Sequence, residues 1–247
     1  MAAIVAEDLR KTYKGRAVVD GINLTVYAGE VLGVLGVNGA GKTTTVEMIA
    51  GLRRPTSGRV TVLGLDPLLD RARVRQVLGV QLQESYLHGA LTVTELVDVY
   101  RSFYPDPVPT AELIGRVGLQ EQAGTRFEKL SGGQRQRVSI ALALAGKPRA
   151  VILDELTTGL DPRARRKLWA LVEAMRDDGV TVVLVSHAMD EVEHLCDRVA
   201  ILDEGRIVAL DKPRNITTDT DTQNLEAAFL ALTGRELDEE QPLEEYA

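Results

Sequence analysis

Residues 36–43 read Gly36-Val37-Asn38-Gly39-Ala40-Gly41-Lys42-Thr43, which satisfies the pattern G-x-x-x-x-G-K-S/T. An apolar run at residues 31–36 precedes the glycine-rich turn, and a helical pattern at 41–50, stopped by Gly51, follows it. A strand, a glycine-rich turn and a helix in this order predict a phosphate-binding loop. The alternative is a chance glycine-rich turn, but a shuffled chain of this composition would contain the pattern only about 0.005 times.

Each residue type in this loop suits the binding of a nucleoside triphosphate. The glycines let consecutive backbone N–H groups turn toward the phosphates, and the helix N-terminus adds a favourable dipole. Lys42 would neutralise the terminal phosphates, and Thr43 would offer its hydroxyl to magnesium. The residues predicted to line the nucleotide here are Gly36, Asn38, Gly39, Ala40, Gly41, Lys42, Thr43 and Thr44.

A second apolar run, at residues 150–153, ends in the acidic pair Asp154 and Glu155. Apolar strands often end in an acid at a sheet edge, so the pair alone is a weak signal. Together with the phosphate loop, it predicts that Asp154 holds magnesium and that Glu155 polarises the water that attacks the terminal phosphate.

The segment Leu130-Ser131-Gly132-Gly133-Gln134 precedes a helical pattern at 134–144. A plain capped helix would need Ser131 but not two glycines and Gln134 in that order, so the segment predicts a second anion-binding site. The complete set of motifs resembles the ATP-binding cassette (ABC) ATPases, whose signature is LSGGQ. The resemblance covers residues 4–210, and the combination of motifs is very specific.

The resemblance implies roles for residues that also have simpler explanations. It places an adenine-stacking ring at Tyr13, although an aromatic residue near the N-terminus usually only packs. It makes Gln83 the residue that contacts magnesium and senses a membrane partner. Gln81 is the competing register, and the acid that follows Gln83 favours Gln83.

Two further loops match the family in the second half of the chain. Asp161, in Gly159-Leu160-Asp161, matches the D-loop and is expected near the nucleotide. His187, after the apolar run 181–185, would contact the γ-phosphate, although a lone histidine at a strand end is more often a polar cap. Leu156 departs from the family, which usually has proline after the catalytic glutamate. This change loosens the backbone beside Glu155 and puts the rate, not the reaction, in doubt.

The order of apolar runs, with the resemblance, predicts an α/β fold: a phosphate-loop NTPase core with a mixed sheet, an N-terminal antiparallel β subdomain and a helical subdomain that carries the signature. The predicted strands are residues 17–19, 22–26, 31–36, 59–63, 79–82, 150–153, 181–185 and 199–202. The predicted helices are residues 41–50, 94–103, 111–117, 134–144, 162–176 and 189–195. The predicted domain organisation is an ABC ATPase domain at 1–235, with a β-rich and RecA-like core at 1–83 and 149–210, a helical subdomain at about 84–148, a C-terminal helix at about 223–233, and an acidic tail at 236–247.

Composition excludes several classes of protein. The chain has 247 residues, 45% of them hydrophobic and 26% charged, which fits a soluble globular protein and not a disordered or fibrous one. No apolar run approaches the roughly 20 residues that cross a bilayer, and no signal peptide is visible. The formal charge of -7 argues against wrapping of nucleic acid.

A few residues that could carry chemistry have plainer explanations. Cys196 is the single cysteine, which suits a reducing cytosol. His194 and Cys196 are too few ligands for a zinc site. Trp169 is predicted to pack in the fold and not to serve as a binding platform.

The resemblance implies a head-to-tail dimer with a second copy or a related cassette subunit. The phosphate loop of one subunit and residues 131–134 of the other would enclose ATP and magnesium. In most single-cassette chains a separate transmembrane permease reads the closure, so we expect a cytoplasmic position, peripheral to the cell membrane, and no nucleic-acid partner. Residues 180–210 look most like bacterial drug or antibiotic exporters of the daunorubicin-resistance type. A soluble ABC ATPase acting on ribosomes or DNA and a non-catalytic nucleotide binder remain open alternatives.

Overall fold

The computed structural model of the chain describes residues 1–82 and 87–236. Over these residues the chain forms a small antiparallel sheet, a larger mixed sheet and surrounding helices. In chain order the elements are β1 (Ala2–Tyr13), β2 (Arg16–Tyr27), β3 (Val31–Leu35), α1 (Lys42–Ile49), β4 (Ser57–Val62), α2 (Arg71–Val77), β5 (Leu78–Gln81), α3 (Val93–Arg101), α4 (Thr110–Arg116), α5 (Gly132–Leu144), β6 (Ala150–Asp154), α6 (Pro162–Asp177), β7 (Thr181–Val185), α7 (Met189–Leu195), β8 (Arg198–Asp203), β9 (Arg206–Asp211), α8 (Pro213–Asp219) and α9 (Leu225–Thr233).

The larger sheet places the loops that carry the motifs side by side. Its strand order is β5-β6-β7-β3-β8-β9, and only β9 runs antiparallel to its neighbour. Every residue of β3, β6 and β7 is buried, which explains why these strands are short continuous apolar runs. Because β7 lies between β6 and β3, the segments that follow these three strands meet at one edge of the sheet. The predicted mixed sheet is confirmed.

The antiparallel sheet has the order β2-β1-β4, which confirms the predicted N-terminal β subdomain. The sequence predicts two short strands at 17–19 and 22–26, whereas the structure has one continuous strand, β2. The sequence predicts no strand over β1, although β1 is twelve residues long. A register shift between Ala6 and Leu9, with Asp8 at φ 44°, breaks the period-two alternation that marks a strand.

The helices predicted between residues 94 and 144 are present as α3, α4 and α5. The segment between α3 and α4, which contains three prolines, is not helical. α5 packs against α3, α4 and β5, so the segment that begins this helix is held by the rest of the fold. The predicted C-terminal helix is present as α9, which buries Phe229 and packs against α7.

The sequence predicts neither β9 nor α8, and the structure adds both after residue 203. The exact limits of the predicted subdomains remain a prediction. Of the acidic tail, only Glu236 lies within the described residues. No helix in the described ranges combines the length and apolarity needed to cross a membrane.

Candidate functional site

The phosphate loop joins β3 to α1 in a conformation that requires glycine. Gly39 and Gly41 adopt positive φ values of 80° and 96°. A Cβ atom on Gly41 would lie 2.6 Å from the carbonyl oxygen of Val18, and one on Gly36 would lie 2.5 Å from that of Leu202. The loop is therefore fixed by strands on both sides, and a larger residue at Gly36 or Gly41 would push it out of place.

The ammonium of Lys42 lies inside this loop. Its Nζ donates to the carbonyl oxygens of Gly36 at 2.6 Å and of Val37 at 3.0 Å, and the residue is only 6% exposed. Burial lowers the pKa of Lys42, and the nearby charges of Glu155 and Asp154 oppose that shift. The loop thus holds the buried Lys42 cation against two neutral carbonyl oxygens. A phosphate that enters the loop would give this cation a negatively charged hydrogen-bond partner.

The other predicted loop residues differ in what they present to solvent. Asn38 and Thr43 are exposed and Thr44 is half-buried, so their polar groups can reach a ligand. Ala40 is buried and contributes its backbone. The hydroxyl of Thr45, by contrast, donates to the carbonyl oxygen of Gly41 at 2.8 Å and belongs to the fold of α1.

Asp154 ends β6 and is 1% exposed. The side-chain amide of Gln81 brackets the Asp154 backbone: Nε2 donates to the carbonyl oxygen at 3.3 Å, and Oε1 accepts from the N–H at 3.1 Å. Gln81 therefore joins β5 to the end of β6, which is a structural task. Gln83 lies outside the described residues, so its assignment to magnesium remains a prediction.

Glu155 and His187 come together at the ends of adjacent strands. The Nδ1 atom of His187 lies 3.9 Å from Oε1 of Glu155. The N–H of Glu155 donates to the carbonyl oxygen of Val185 at 2.9 Å, which ties the turn after β6 to β7. Glu155 adopts φ 48°, an uncommon conformation for a residue with a side chain, and Leu156 after it is buried. The acid and the histidine thus face a common point beside the phosphate loop.

The signature segment forms the start of α5. The Ser131 hydroxyl accepts from the N–H of Gln134 at 3.3 Å, and the Gln134 side chain accepts from the N–H of Ser131 at 2.8 Å. A Cβ atom on Gly133 would lie 3.0 Å from the Cβ atom of Ala164, so glycine allows α5 to approach α6. Ser131 and Gly132 are exposed, and no hydrogen bond of the described residues joins this segment to the phosphate loop.

Asp161 and Tyr13 each have a clear place in the fold. The Asp161 carboxylate caps α6 by accepting from the N–H groups of Ala164 and Arg163, and these bonds lower its pKa. The Tyr13 hydroxyl hydrogen bonds with Arg53, and the ammonium of Lys11 lies 5.1 Å from the ring centroid. A contact of either residue with nucleotide remains a prediction.

One buried acid near the site is not predicted from the sequence. Glu191, on α7, is fully buried, and it accepts from the Ser186 hydroxyl at 2.7 Å and from the Trp169 indole at 3.0 Å. The sequence does hold a signal, because Glu191 occupies a position on the same face as Val192 and Leu195, where an apolar residue is expected. The packing role predicted for Trp169 is confirmed, since its ring also stacks on that of His194, with the ring centroids 4.6 Å apart.

The described residues contain no cluster of acidic, histidine and cysteine side chains that could hold a metal by itself. Cys196 is buried, and burial raises the pKa of its thiol. A divalent cation would therefore depend on the ligand phosphates as well as on protein oxygens.

The sequence model of the ABC transporter family matches residues 19–158, which include both the phosphate loop and the signature segment. The chain belongs to this family. It is 39% identical to the linearmycin resistance ATP-binding protein LnrL of Bacillus subtilis, over 83% of this chain and 68% of that protein. It is 42% identical to the daunorubicin/doxorubicin resistance ATP-binding protein DrrA of Streptomyces peucetius, over 84% of this chain and 64% of that protein.

A third relative is the Nod factor export ATP-binding protein I of Rhizobium etli, which is 38% identical over 87% of this chain and 70% of that protein. The chain thus spans about two thirds of the length of these curated relatives. These comparisons give no support to the alternative of a ribosome- or DNA-directed ATPase.

Solved structures agree in fold. The ATP-binding subunit of an ABC transporter superposes with a TM-score of 0.84 at 26% identity, over 93% of this chain and 99% of that one. A dimeric ATP-binding cassette in a post-hydrolysis state, bound to ADP and phosphate, superposes with a TM-score of 0.77. The two are 28% identical, over 85% of this chain and 98% of that one. The chain is therefore an ATP-binding and ATP-hydrolysing subunit of an ABC transporter.

Proposed function

We propose that this subunit couples ATP-driven closure of a dimer to the export of a small molecule through a separate membrane permease. The observation that carries the proposal is the convergence of Lys42, Asp154, Glu155 and His187 at one edge of the parallel sheet. A buried cation, two carboxylates and an imidazole beside a phosphate loop are the groups that hydrolysis of a nucleoside triphosphate requires.

The residues present fit magnesium. The Thr43 hydroxyl is exposed at the first turn of α1, and the Asp154 carboxylate lies at the end of β6 near the Lys42 charge. Hydroxyl and carboxylate oxygens are the hard ligands that this cation prefers. Thr43, Asp154 and Gln83 would hold the ion, which when bound neutralises charge on the β- and γ-phosphates.

Glu155 and His187 have different roles in the attack of water on the terminal phosphate. The Glu155 carboxylate accepts a hydrogen bond from the attacking water. This bond increases the negative charge on the water oxygen and makes it a better nucleophile. His187, 3.9 Å from that carboxylate, would contact the γ-phosphate beside the attacking water. Lys42 leaves the carbonyls of the loop and follows the phosphate oxygens, which stabilises the charge that develops on them.

The signature segment of a second subunit completes the site. Ser131 and Gly132 are exposed and lack hydrogen bonds to the phosphate loop of their own chain, within the part that the structure describes. The N–H groups at the start of α5, together with the Ser131 hydroxyl, therefore have the γ-phosphate held by the other copy as their natural ligand. ATP bound between the two chains then stabilises the dimer, and hydrolysis of the ATP lets the chains separate.

The names of the relatives support export as the process that this subunit drives. Export and drug resistance are named in the relatives that this chain matches at 38 to 42% identity. A permease would therefore hold the substrate, and this subunit would lie on the cytoplasmic side of the membrane against it.

Co-expression with a candidate permease tests this proposal. The candidate is a neighbouring reading frame with about six apolar runs of transmembrane length. We expect the chain to sediment with membranes only when this permease is present, and inside-out vesicles to accumulate a drug in an ATP-dependent manner. An unrelated membrane protein at equal abundance is the control. A chain that stays in the supernatant beside a well-expressed permease contradicts the proposal.

Replacing Tyr13 tests the proposed contact with adenine. Tyr13→Ala should weaken ATP binding by about 1 to 3 kcal/mol, by analogy with stacking of bases on aromatic residues, and Tyr13→Trp should be tolerated. The matched control is Tyr27→Ala, because Tyr27 is also partly exposed and lies against a cation, Arg198, at the far end of β2. Isothermal titration measures the affinities. An Ala variant at Tyr13 that binds like wild type excludes the stacking role.

A further inference from the structure

The buried carboxylate of Glu191 joins the segments that carry His187 and Glu155. Its Oε2 atom accepts from the Ser186 hydroxyl at 2.7 Å, and the same hydroxyl accepts from the N–H of Ala188 at 3.0 Å. Ser186 is thus bound directly to Glu191, and Ala188 is linked to it through the Ser186 hydroxyl. These bonds connect Glu191 to the backbone on both sides of His187.

The same carboxylate reaches two other elements. The indole N–H of Trp169, on α6, donates to Oε1 at 3.0 Å. The side chain of Thr157, two residues after Glu155, lies near it and opposes the rise in its pKa that burial causes. α6 begins at Pro162 with Asp161 as its cap, so the bond from Trp169 holds the helix that follows the Glu155 segment against the same carboxylate.

Burial of a carboxyl group costs desolvation free energy, which burial of an apolar side chain does not. Glu191 has no exposed surface, and burial raises its pKa, although the side chains of Ser186, Thr157 and Trp169 oppose the shift. An apolar side chain of similar size would pack at this position without the cost of desolvating a carboxyl group. Its donors Ser186 and Trp169 come from the His187 turn and from α6, which follows the Glu155 segment, so the bonds serve the alignment of these segments.

We propose that Glu191 is a positioning residue, which sets the separation of Glu155 and His187 by holding the segments that carry them. Because it is fully buried, it acts through these segments and not by contact with the nucleotide. The inference rests on the proposed roles of Glu155 and His187 in hydrolysis. It assigns to α7 the task of keeping the two reacting side chains in register when the dimer closes.

The test separates turnover from binding in Glu191→Leu and Glu191→Gln. We expect the Leu variant to lose about tenfold or more in kcat, with KM for ATP changed by less than about threefold, because small displacements of reacting groups cost rate and not affinity. The Gln variant keeps an acceptor oxygen and should recover most of the rate. Glu193→Gln is the matched control, because Glu193 lies on the same helix but caps the N–H of Leu225.

Two further measurements make each outcome decisive. Trp169 is the only tryptophan, so a change in its fluorescence shows directly that the contact with Glu191 is broken. If the Leu variant fails to fold, Ser186→Ala and Trp169→Phe remove single bonds of the same carboxylate and should each lower kcat at unchanged KM. A Leu variant with altered fluorescence and wild-type kcat overturns the inference. Wild-type kcat in both single-bond variants overturns it as well, as does an equal loss in the Leu and Gln variants with a raised KM. Glu155→Gln is assayed alongside: if it hydrolyses ATP normally, the catalytic assignment has failed instead.

Discussion

Glu155→Gln is expected to lower the rate of ATP hydrolysis by about 100-fold or more while leaving ATP bound, because the amide cannot draw a proton from water as a carboxylate does. Lys42→Ala should instead weaken ATP binding by about 2 kcal/mol or more, since it removes a charge-assisted contact to phosphate.

Phosphate release at saturating magnesium-ATP measures turnover, and equilibrium titration measures binding. Suitable controls are Glu173→Gln and Lys147→Ala, which change a half-buried acid on α6 and a surface lysine paired with Asp106. Both controls should behave like wild type. Wild-type turnover in Glu155→Gln would show that another group activates the water.

The sequence predicts those parts of the fold whose signal is local. β3, β6 and β7 are buried on both faces, so their apolar runs identify them without knowledge of the partners. The capping box at Ser131 and the phosphate loop are equally local, because backbone geometry over a few residues determines them. These features predict an α/β fold with a parallel sheet, and the family resemblance adds the mixed sheet and the antiparallel β subdomain.

The missed strands lack a regular local pattern. The bulge near Asp8 interrupts alternation in β1, and β9 has no fully buried residue. Strands of this kind become regular only when a neighbour supplies hydrogen bonds and a face to pack on, and a single sequence does not reveal that neighbour.

The same limit applies to the candidate site. Lys42, Asp154 and Glu155 are recognisable because each belongs to a contiguous motif. Glu191 is separated by 22 residues from Trp169, with which it bonds, and only the packing of α7 on α6 reveals the contact. The cap that Asp161 forms on α6 is recognisable from the sequence, because Asp161-Pro162 directly precedes the helix predicted at 162–176.

Mixing two inactive variants should restore activity if the site is shared between subunits. Lys42→Ala inactivates the phosphate loop of its own chain, and Ser131→Arg blocks the exposed signature segment of its own chain. In a mixed dimer the intact loop of one chain meets the intact signature of the other, so one complete site returns. At equal mixing with free exchange, half of the dimers are mixed and about a quarter of the wild-type sites should be active.

The matched control replaces Ser131→Arg with Ser102→Arg, an equally drastic change at the exposed end of α3. Ser102→Arg should be active by itself, and its activity in a mixture should follow its own share of the wild-type sites. Activity of the first mixture that equals the sum of its separate components would indicate that each chain completes its own site.

The mass of Glu155→Gln in the presence of magnesium-ATP shows whether a second chain completes the nucleotide site. This variant should bind ATP without consuming it, so the two shared sites should hold the closed dimer together. Light scattering on a sizing column should then give twice the chain mass of 26.9 kDa with ATP, and 26.9 kDa with ADP or with the additional change Ser131→Arg. A variant that binds ATP at full occupancy and still elutes at 26.9 kDa would contradict the account, because no second chain would then complete the site.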